Sequence, residues 1–338
     1  MKLFFSLLTI NFLLLGFNDD VIEALSLVPG GQNIGIEIRP DGLLVSGSYD
    51  VAIEKGTYNP TRDSDIKVGD LIFEVENVHV SSLEEFIAQF KKYEGKKPDI
   101  NVRLKRKNDI LPRKLKIVKV GNKYKTGLFI KERLLGIGTI SFYDPSTGMY
   151  GALGHEIIDN DTKNIVEVDS GIIYSSVVTG INKSEDGRPG AKVADIEMSD
   201  EIGVILANTP YGIYGKYESL PDDYQIMEMG DIEEVKLGDA EIWTVTHGDR
   251  IEKYKIKITN LESQSYIAPK GISFRVIDEE LLKISNGIVG GMSGSPIIQQ
   301  NKLIGAVTHV LVDDVDCGYG IYMQWMVETS YAVCGNAA

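Results

Sequence analysis

The sequence has little cysteine and histidine, and these shortages exclude several classes of protein. Two cysteines, Cys317 and Cys334, are too few for a disulfide scaffold in a chain of 338 residues. One bridge between them is compatible with the sequence, but their spacing does not require it. The four histidines lie far apart, and neither C-x-x-C nor H-E-x-x-H occurs. We therefore predict no metal site and no cofactor.

Positive charge is also scarce, with one exception. The formal net charge is −14, which argues against a general nucleic-acid-binding protein. Between Lys91 and Lys119, however, there are twelve Lys and Arg residues and three acidic ones, so this segment has a net charge of +9. We interpret this basic segment as the solvated surface of a helix end and strands. Contact with anionic lipid or an acidic partner is the alternative.

Long apolar runs are missing except at the N-terminus. There Lys2 precedes LFFSLLTINFLLLGF, a pattern typical of an export signal. The run is short for a membrane span, and no A-x-A-like cleavage site follows closely. We predict that residues 1–18 are a signal peptide or membrane anchor, so that the rest of the protein lies outside the cytoplasm. The alternative is a buried N-terminal helix.

Residues 25–119 show the order strands, helix, strands. In VGDLIFEVENVHVSSLEEF a turn precedes a strand, and Ser81 or Ser82 caps a helix with acidic residues in its first turn. This block and the glycine loop PGGQNIGI resemble a PDZ domain. In that family the loop amides capture a peptide carboxylate, and the following strand pairs with the peptide. The resemblance implies a peptide-binding site at the matching residues, which are Asn33, Ile34, Gly35 and Ile36. The alternative is a region that only packs against its neighbour.

The pattern changes after a linker predicted at residues 121–126. From Gly127 onward, short strands alternate with Gly, Asn, Asp and Pro turns, and long helical periodicity is nearly absent. This spacing is typical of β-barrels. We predict a mainly β protein in which residues 127–338 form a chymotrypsin-like double β-barrel, with the PDZ-like α+β domain before it.

The stretch GGMSGSPII suggests a serine nucleophile. A serine hydroxyl is a weak nucleophile without a base to take its proton and donors to hold an oxyanion. We predict Ser293 as the nucleophile and the amides of Gly291 and Ser293 as the donors, with Ser295 structural. The order serine, strand, turn, strand is that of chymotrypsin-like proteases, in which Thr308 and His309 would face the substrate. For His309 a plain structural role is the alternative. The alternative is an ordinary tight turn.

The predicted base is His155, which follows a glycine at the end of a strand in YGALGHEI. A plain core histidine is the alternative, and His79 and His247 are weaker candidates. An acid is needed to orient the imidazole, but the spacing does not choose among the acids before Ser293. The candidates considered are Asp169, Asp195 and Asp278.

Two segments together resemble the SpoIVB peptidase family of endospore-forming bacteria. They are GIGTISFYDPSTGMYGALGHEI and the C-terminal stretch containing GGMSGSPIIQQNKLIGAVTHVLV. The resemblance implies a serine endopeptidase with His155 and Ser293 at the catalytic positions and Asp278 as the acid. An acid just upstream of the serine departs from the chymotrypsin-like order, where it lies nearer the histidine.

The same resemblance implies a place in sporulation. Such peptidases are exported into the space between the two membranes around the forespore. They cleave themselves near the N-terminus and also cleave a membrane-bound regulator of an intramembrane metalloprotease, so that a late sigma factor precursor is processed. Partners would be that regulator, the chain itself and a PDZ-bound peptide. The rival functions are a catalytically silent PDZ adaptor and a general extracytoplasmic stress protease.

Overall fold

The computed structural model describes residues 25–336 except Asn108, Asn160 and Thr162. The predicted segment 1–18 therefore lies outside the described residues. Among those described, no helix combines the length and apolar character needed to cross a membrane. The first twelve strands are β1 (Ser26–Pro29), β2 (Asn33–Arg39), β3 (Leu43–Ser48), β4 (Val51–Ile53), β5 (Gly56–Tyr58), β6 (Leu71–Val75), β7 (Val78–His79), β8 (Asp99–Arg106), β9 (Asp109–Lys116), β10 (Val118–Val120), β11 (Lys123–Lys125) and β12 (Leu128–Lys131).

Twelve more strands follow, and the helices are few. The strands are β13 (Leu134–Asp144), β14 (Met149–Ala152), β15 (Ser170–Asn182), β16 (Ala191–Thr209), β17 (Gly212–Tyr217), β18 (Met227–Glu228), β19 (Gly238–Val245), β20 (Ile251–Leu261), β21 (Ile272–Val276), β22 (Pro296–Gln299), β23 (Lys302–Val310) and β24 (Cys317–Tyr322). The helices are α1 (Pro60–Asp63), α2 (Leu83–Tyr93), α3 (Glu279–Ser285) and α4 (Met323–Asn336), with a 3₁₀ turn at Ile232–Glu234.

Two barrels form the larger part of the molecule. In the first, β13 pairs with both β2 and β14, so that the strands β14-β17-β16-β15-β2-β13 close into a ring. The second is the closed barrel β19-β20-β21-β24-β23-β22. A shared apolar layer joins them, in which Phe142 of β13 and Ile321 of β24 belong to one cluster with Met326 of α4. The prediction of a mainly β protein with two barrels is confirmed.

A smaller domain is inserted between β2 and β13. Its sheet has the order β12-β3-β6-β8-β9, and a separate core contains Val45, Ile72 and Phe86. Helix α2 begins at the predicted place: Ser82 and Glu85 form a capping box, which satisfies amides that the first turn leaves without partners.

The structure divides the chain differently from the predicted boundaries of 25–119 and 127–338. Strands β1 and β2 belong to the first barrel, because β1 pairs with β13 and β2 pairs with β13 and β15. Strand β12 pairs with β3 and so belongs to the inserted domain. The predicted linker at 121–126 instead spans the β10–β11 hairpin turn and β11.

The prediction that Asn33, Ile34, Gly35 and Ile36 bind a peptide is therefore wrong. All four lie in β2 and pair with β13 on one side, and Ile34, Gly35 and Ile36 pair with β15 on the other. The Asn33 side chain donates to the Ser176 hydroxyl of β15 at 2.7 Å. A strand with both edges occupied has no free amides or carbonyls for an added peptide. Their side chains are buried in the first barrel, apart from the glycine that has none.

The two cysteines do not pair in this structure. Cys317 and Cys334 are both free, and the Cys317 thiol donates to a carboxylate oxygen of Asp314 at 3.5 Å.

An ion pair holds the turn before β6 in the inserted domain. The Asp70 carboxylate is almost fully buried. It accepts hydrogen bonds from Arg106 Nε at 2.7 Å and Nη2 at 2.8 Å, and from the Lys67 amide at 2.7 Å. Such a buried pair is costly to break on one side, because the remaining charge is left without a partner.

We expect Asp70→Ala to lower the free energy of unfolding by about 2 kcal/mol, since the Arg106 guanidinium and the Lys67 amide lose their buried acceptor while Arg106 keeps the half-exposed Asp65 at 3.3 Å. Urea denaturation of the whole chain measures this loss. Asp109→Ala is the matched control, because Asp109 is an exposed aspartate at the start of β9 and should change stability by less than about 0.5 kcal/mol. Equal effects of the two substitutions would contradict the structural role of the pair.

Candidate active site

A cleft of about 510 Å³ brings together the predicted base and nucleophile. His155 follows β14 of the first barrel, and Ser293 lies on the turn before β22 of the second. Both line the cleft together with Gly290 and Gly291. Residues separated by more than a hundred positions thus share one surface.

The turn carrying Ser293 requires glycine at a defined position. Gly294 has φ +95°, and a Cβ atom there would lie 2.0 Å from the Thr139 carbonyl oxygen and 2.6 Å from the Leu153 amide nitrogen. Those atoms are backbone and cannot move aside easily, so only glycine fits. Met292 anchors the same turn, because its side chain is fully buried in the core of the second barrel.

Two amides of this turn are free to donate into the cleft. The Met292 amide donates to the Val289 carbonyl at 3.1 Å and the Gly294 amide to the Val307 carbonyl at 2.7 Å. By contrast, the amides of Gly291 and Ser293 have no acceptor among the described residues. Two unpaired donors beside a serine are what an oxyanion hole needs.

The orientation of the Gly291 amide follows from the peptide bond that contains it. The carbonyl of Gly290 accepts a hydrogen bond from the Lys192 amide at 2.8 Å. In a trans peptide, the carbonyl and the following N–H point in opposite directions. Holding the Gly290 carbonyl toward Lys192 therefore turns the Gly291 N–H away from Lys192.

His155 is placed by two residues in the left-handed region. Leu153 has φ +69° and Gly154 φ +70°, so the chain leaves β14 in a sharp bend. The His155 Nδ1–H donates to the carbonyl oxygen of Glu156 at 2.7 Å. This bond selects the tautomer in which Nε2 carries the lone pair, as a general base requires. Burial lowers the pKa of His155 below its ordinary value of 6.5, so the imidazole is neutral at neutral pH.

The Ser293 hydroxyl is held beside β23. Its Oγ donates to the carbonyl oxygen of Thr308 at 3.0 Å, and no hydrogen bond joins it to His155 within the described part of the chain. Rotation about χ1 moves a serine hydroxyl between staggered positions. Catalytic hydrogen bonds are often incomplete without substrate, so attack requires the hydroxyl to leave Thr308 and turn toward Nε2.

Only part of the predicted substrate-facing pair lies at the site. The Thr308 side chain is buried, and its hydroxyl is within hydrogen-bond distance of the carbonyls of Pro269 and Tyr319. The His309 ring lies beside the base, and its centroid is 5.2 Å from the centroid of the His155 ring. Burial, with smaller contributions from the charges of His155 and Lys270, lowers the pKa of His309 to about 4. His309 is therefore an uncharged neighbour of the base.

The structure does not place Asp278 at His155. One carboxylate oxygen accepts from the amides of Glu280 and Leu281 at 3.1 and 3.2 Å, and the other accepts from the Lys255 amide at 3.2 Å. Asp278 is thus the N-cap of α3. The stretch DEELL, an aspartate followed by acidic residues and apolar ones, carries that signal in the sequence.

The rival aspartates do not reach the base either. Asp169 and Asp195 are exposed, and neither makes a hydrogen bond to His155 among the described residues. The group that accepts the hydrogen bond from His155 Nδ1 is a backbone carbonyl, so in this structure Asp278 does not orient the imidazole.

Of the weaker histidine candidates, His79 pairs with Asp41 on the inserted domain.

Two residues at the site were missed by the sequence analysis. Lys192 is buried on β16, while its neighbour Val193 is 45% exposed. In most strands apolar side chains point into the core and polar ones point to solvent, and here that order is inverted. No sequence motif identifies the lysine. Thr139 on β13 donates through Oγ1 to the Gly291 carbonyl at 2.7 Å, a contact that depends on the fold.

In the described part of the chain no cluster of His, Cys, Asp and Glu is arranged for a metal.

The lowered pKa of His155 predicts the pH dependence of Ser293 reactivity. We expect the rate of labelling by a fluorophosphonate to rise with pH through a midpoint below 6.5, because the base works only when deprotonated. Labelling across the pH range measures this. His309→Asn should leave the midpoint in place. A midpoint above 6.5 would instead indicate a carboxylate partner, which raises the pKa of an imidazole.

The capping role of Asp278 predicts different effects for two substitutions. Asn caps helices as well as Asp does, so Asp278→Asn should label at a rate close to wild type, whereas Asp278→Ala should lose about 1 kcal/mol of stability. Labelling rates and thermal unfolding measure the two quantities. A loss of about 10⁴ in rate for Asp278→Asn is the result expected of a triad acid and would contradict the capping role.

Comparison with known proteins points to one family. The model of the SpoIVB peptidase family, Peptidase S55, matches residues 122–327. No curated protein matches the chain. Among solved structures, the active form of the Rv3671c protease from M. tuberculosis is 15% identical, with a TM-score of 0.37 over 60% of this chain and 75% of that one. The HtrA-type protease AlgW with a tripeptide is 12% identical, with a TM-score of 0.36 over 60% of this chain and 57% of that one.

The matched region contains His155, the glycine turn and Ser293, so the candidate catalytic residues of the cleft fall within the part that defines the family. It also extends over more than half of the chain. The chain therefore belongs to the SpoIVB peptidase family, Peptidase S55, and is a serine endopeptidase.

Proposed function

We propose that this endopeptidase acts in sporulation signalling. It is exported to the space between the forespore and mother-cell membranes. There it cleaves a membrane-bound regulator of an intramembrane metalloprotease, so that a late sigma factor precursor is processed. Family membership supports this assignment. The single observation that carries the chemistry is the shared cleft, in which His155, Ser293 and the unpaired amide of Gly291 meet.

The reaction follows from the groups in the cleft. Nε2 of His155 takes the proton of the Ser293 hydroxyl as Oγ attacks the peptide carbonyl, and the amides of Gly291 and Ser293 stabilise the oxyanion. The imidazolium then gives its proton to the leaving amine, and water releases the acyl group in the same way. The carbonyl of Glu156 holds the ring through Nδ1–H during both steps.

Self-cleavage is part of the proposal, and the fold limits where it can occur. Residues 16–28, GFNDDVIEALSLV, connect the predicted anchor to the body of the protein. From Ser26 the chain is β1, whose backbone pairs with β13 and β18. A peptide bond within a paired strand cannot enter a protease cleft without unfolding the sheet. We therefore place the cuts before Ser26.

We also propose that the inserted domain is PDZ-like and binds an extended peptide at an edge strand. The two ends of its sheet differ. Strand β9 carries Pro112 and a row of basic side chains, features that block strand addition. Strand β12 at the other end exposes 56% of Phe129. The residue after it, Glu132, accepts a hydrogen bond from the Leu83 amide at the start of α2. The edge of β12 is the better place for an added strand.

The nucleophile assignment predicts the fate of the N-terminus. Wild type should lose its N-terminal segment through cuts between residues 16 and 25, whereas Ser293→Ala should stay intact because it lacks the attacking hydroxyl. Intact-mass spectrometry of the purified chains measures this. In the spore-forming host, the Ser293→Ala variant should also leave the sigma precursor unprocessed.

Ser295→Ala is the matched control, since Ser295 lies in the same motif and its buried hydroxyl has no partner among the described residues. It should be processed and labelled as wild type is. Equal processing of Ser293→Ala would show that another protease makes the cuts. A wild-type chain that reacts with neither a fluorophosphonate nor itself would instead indicate a silent peptide-binding adaptor.

A further inference from the structure

Lys192 is a buried lysine that the catalytic steps above do not use. It lies on β16, and only 3% of the residue is exposed. Its Nζ reaches three side-chain oxygens: Oδ1 of Asn33 at 3.3 Å, Oγ1 of Thr139 at 3.4 Å and Oγ1 of Thr244 at 2.9 Å. Asn33 and Thr139 belong to the first barrel and Thr244 to the second, so the amine joins the barrels beneath the turn.

Burying this amine is costly. The groups that face Nζ from β2, β13 and β19 are all neutral, the adjoining turn at 290–291 has no titratable side chain, and no carboxylate forms an ion pair with Lys192 among the described residues. Burial is the cause that lowers the pKa of Lys192 to about 7. An apolar side chain of the same length would avoid that cost, so stability alone does not explain a lysine here.

The lysine touches the oxyanion turn in two ways. Its amide donates to the Gly290 carbonyl at 2.8 Å. Its aliphatic stem packs where a side chain of Gly291 would stand, since a Cβ there would lie 3.1 Å from Cδ and 3.2 Å from Cβ of Lys192. Through Thr139, which donates to the Gly291 carbonyl at 2.7 Å, the amine also reaches the second carbonyl of the turn.

The direction of these hydrogen bonds depends on the charge of the amine. An ammonium has three donors and no acceptor, which matches the three oxygens around Nζ. Thr139 can then only accept from Lys192, and its own O–H is left for the Gly291 carbonyl. A neutral amine has a lone pair and can accept from Thr139 instead, which would remove the hydroxyl from Gly291.

We propose that Lys192 is a positioning residue for the oxyanion hole: its protonated amine directs the Thr139 hydroxyl onto the Gly291 carbonyl and so fixes the Gly291–Met292 peptide, which lies between the two peptides that carry the amides of Gly291 and Ser293. This inference rests on the serine mechanism described above. It adds regulation by pH, because the amine loses its proton around neutrality and the support of the turn is lost with it.

The test is the kinetics of fluorophosphonate labelling of the full chain. Lys192→Met keeps the length of the stem and removes the amine. We expect its maximum labelling rate to fall by up to about 10²-fold, the loss seen when an oxyanion donor is compromised. The concentration that gives half the maximum rate should stay unchanged, because the contact acts in the transition state. Lys183→Met is the matched control, since Lys183 follows β15 in the same hairpin and its Nζ donates to the carbonyl of Lys283, which is exposed.

Thr139→Val removes the hydroxyl that connects Lys192 to the Gly291 carbonyl, and it provides a second test if Lys192→Met does not fold. It should lower the maximum rate as Lys192→Met does, and the double variant should be no slower than the slower single one. The wild-type rate should also fall as pH rises through about 7, and this decline should be missing in Lys192→Met. Wild-type labelling rates in both single variants, or multiplicative losses in the double one, would overturn the proposal.

Failure of the mechanism itself is distinguishable from failure of this inference. If Ser293 is not the nucleophile, either wild type is not labelled or Ser293→Ala is labelled as fast as wild type. If wild type is labelled and Lys192→Met is labelled equally fast with the same pH profile, the serine mechanism stands and the positioning role of Lys192 is wrong.

Discussion

The single peptide unit between Ser293 and Gly294 holds the turn of the nucleophile to the two barrels at once. The Ser293 carbonyl accepts from the Thr139 amide of the first barrel at 3.1 Å, and the Gly294 amide donates to the Val307 carbonyl of the second at 2.7 Å. The nucleophile therefore has no position independent of how the barrels pack. The cleft, the two free amides and the neighbouring base all depend on that junction, which explains why glycine is required where the two backbones meet.

The polar groups of the site are oriented mainly by backbone and neutral partners. His155 donates to a carbonyl, Ser293 donates to another, and Lys192 is surrounded by hydroxyl and amide oxygens. In a buried site each such bond is stronger than in water, so orientation does not require a carboxylate. The cost is that burial, and not an ion pair, sets the protonation states, which makes the site sensitive to pH near neutrality.

How much of this could be predicted from the sequence depended on the range of the interactions. The roles of Ser293 and His155 are predictable because the glycines beside them indicate local turns. The cap at Ser82 is predictable for the same reason. The role of Asp278 could not be decided from the sequence, since an aspartate before a helix and a triad acid look alike without distances. The role of Lys192 and the pairing of β2 with β13 could not be predicted, because the partners lie in other strands, 52 or more positions away in the sequence.

The insertion of the smaller domain has a consequence for folding. Strands β2 and β13 are adjacent in the first barrel, with Ile38 opposite Leu134, yet nearly a hundred residues separate them. Closing an unfolded loop of that length costs entropy, by roughly (3/2)RT ln n. Once the inserted domain has folded, its two ends are already close together and the effective loop is short. The insert thus lowers the entropic barrier to closing the barrel that carries His155, so the domain contributes to building the catalytic cleft.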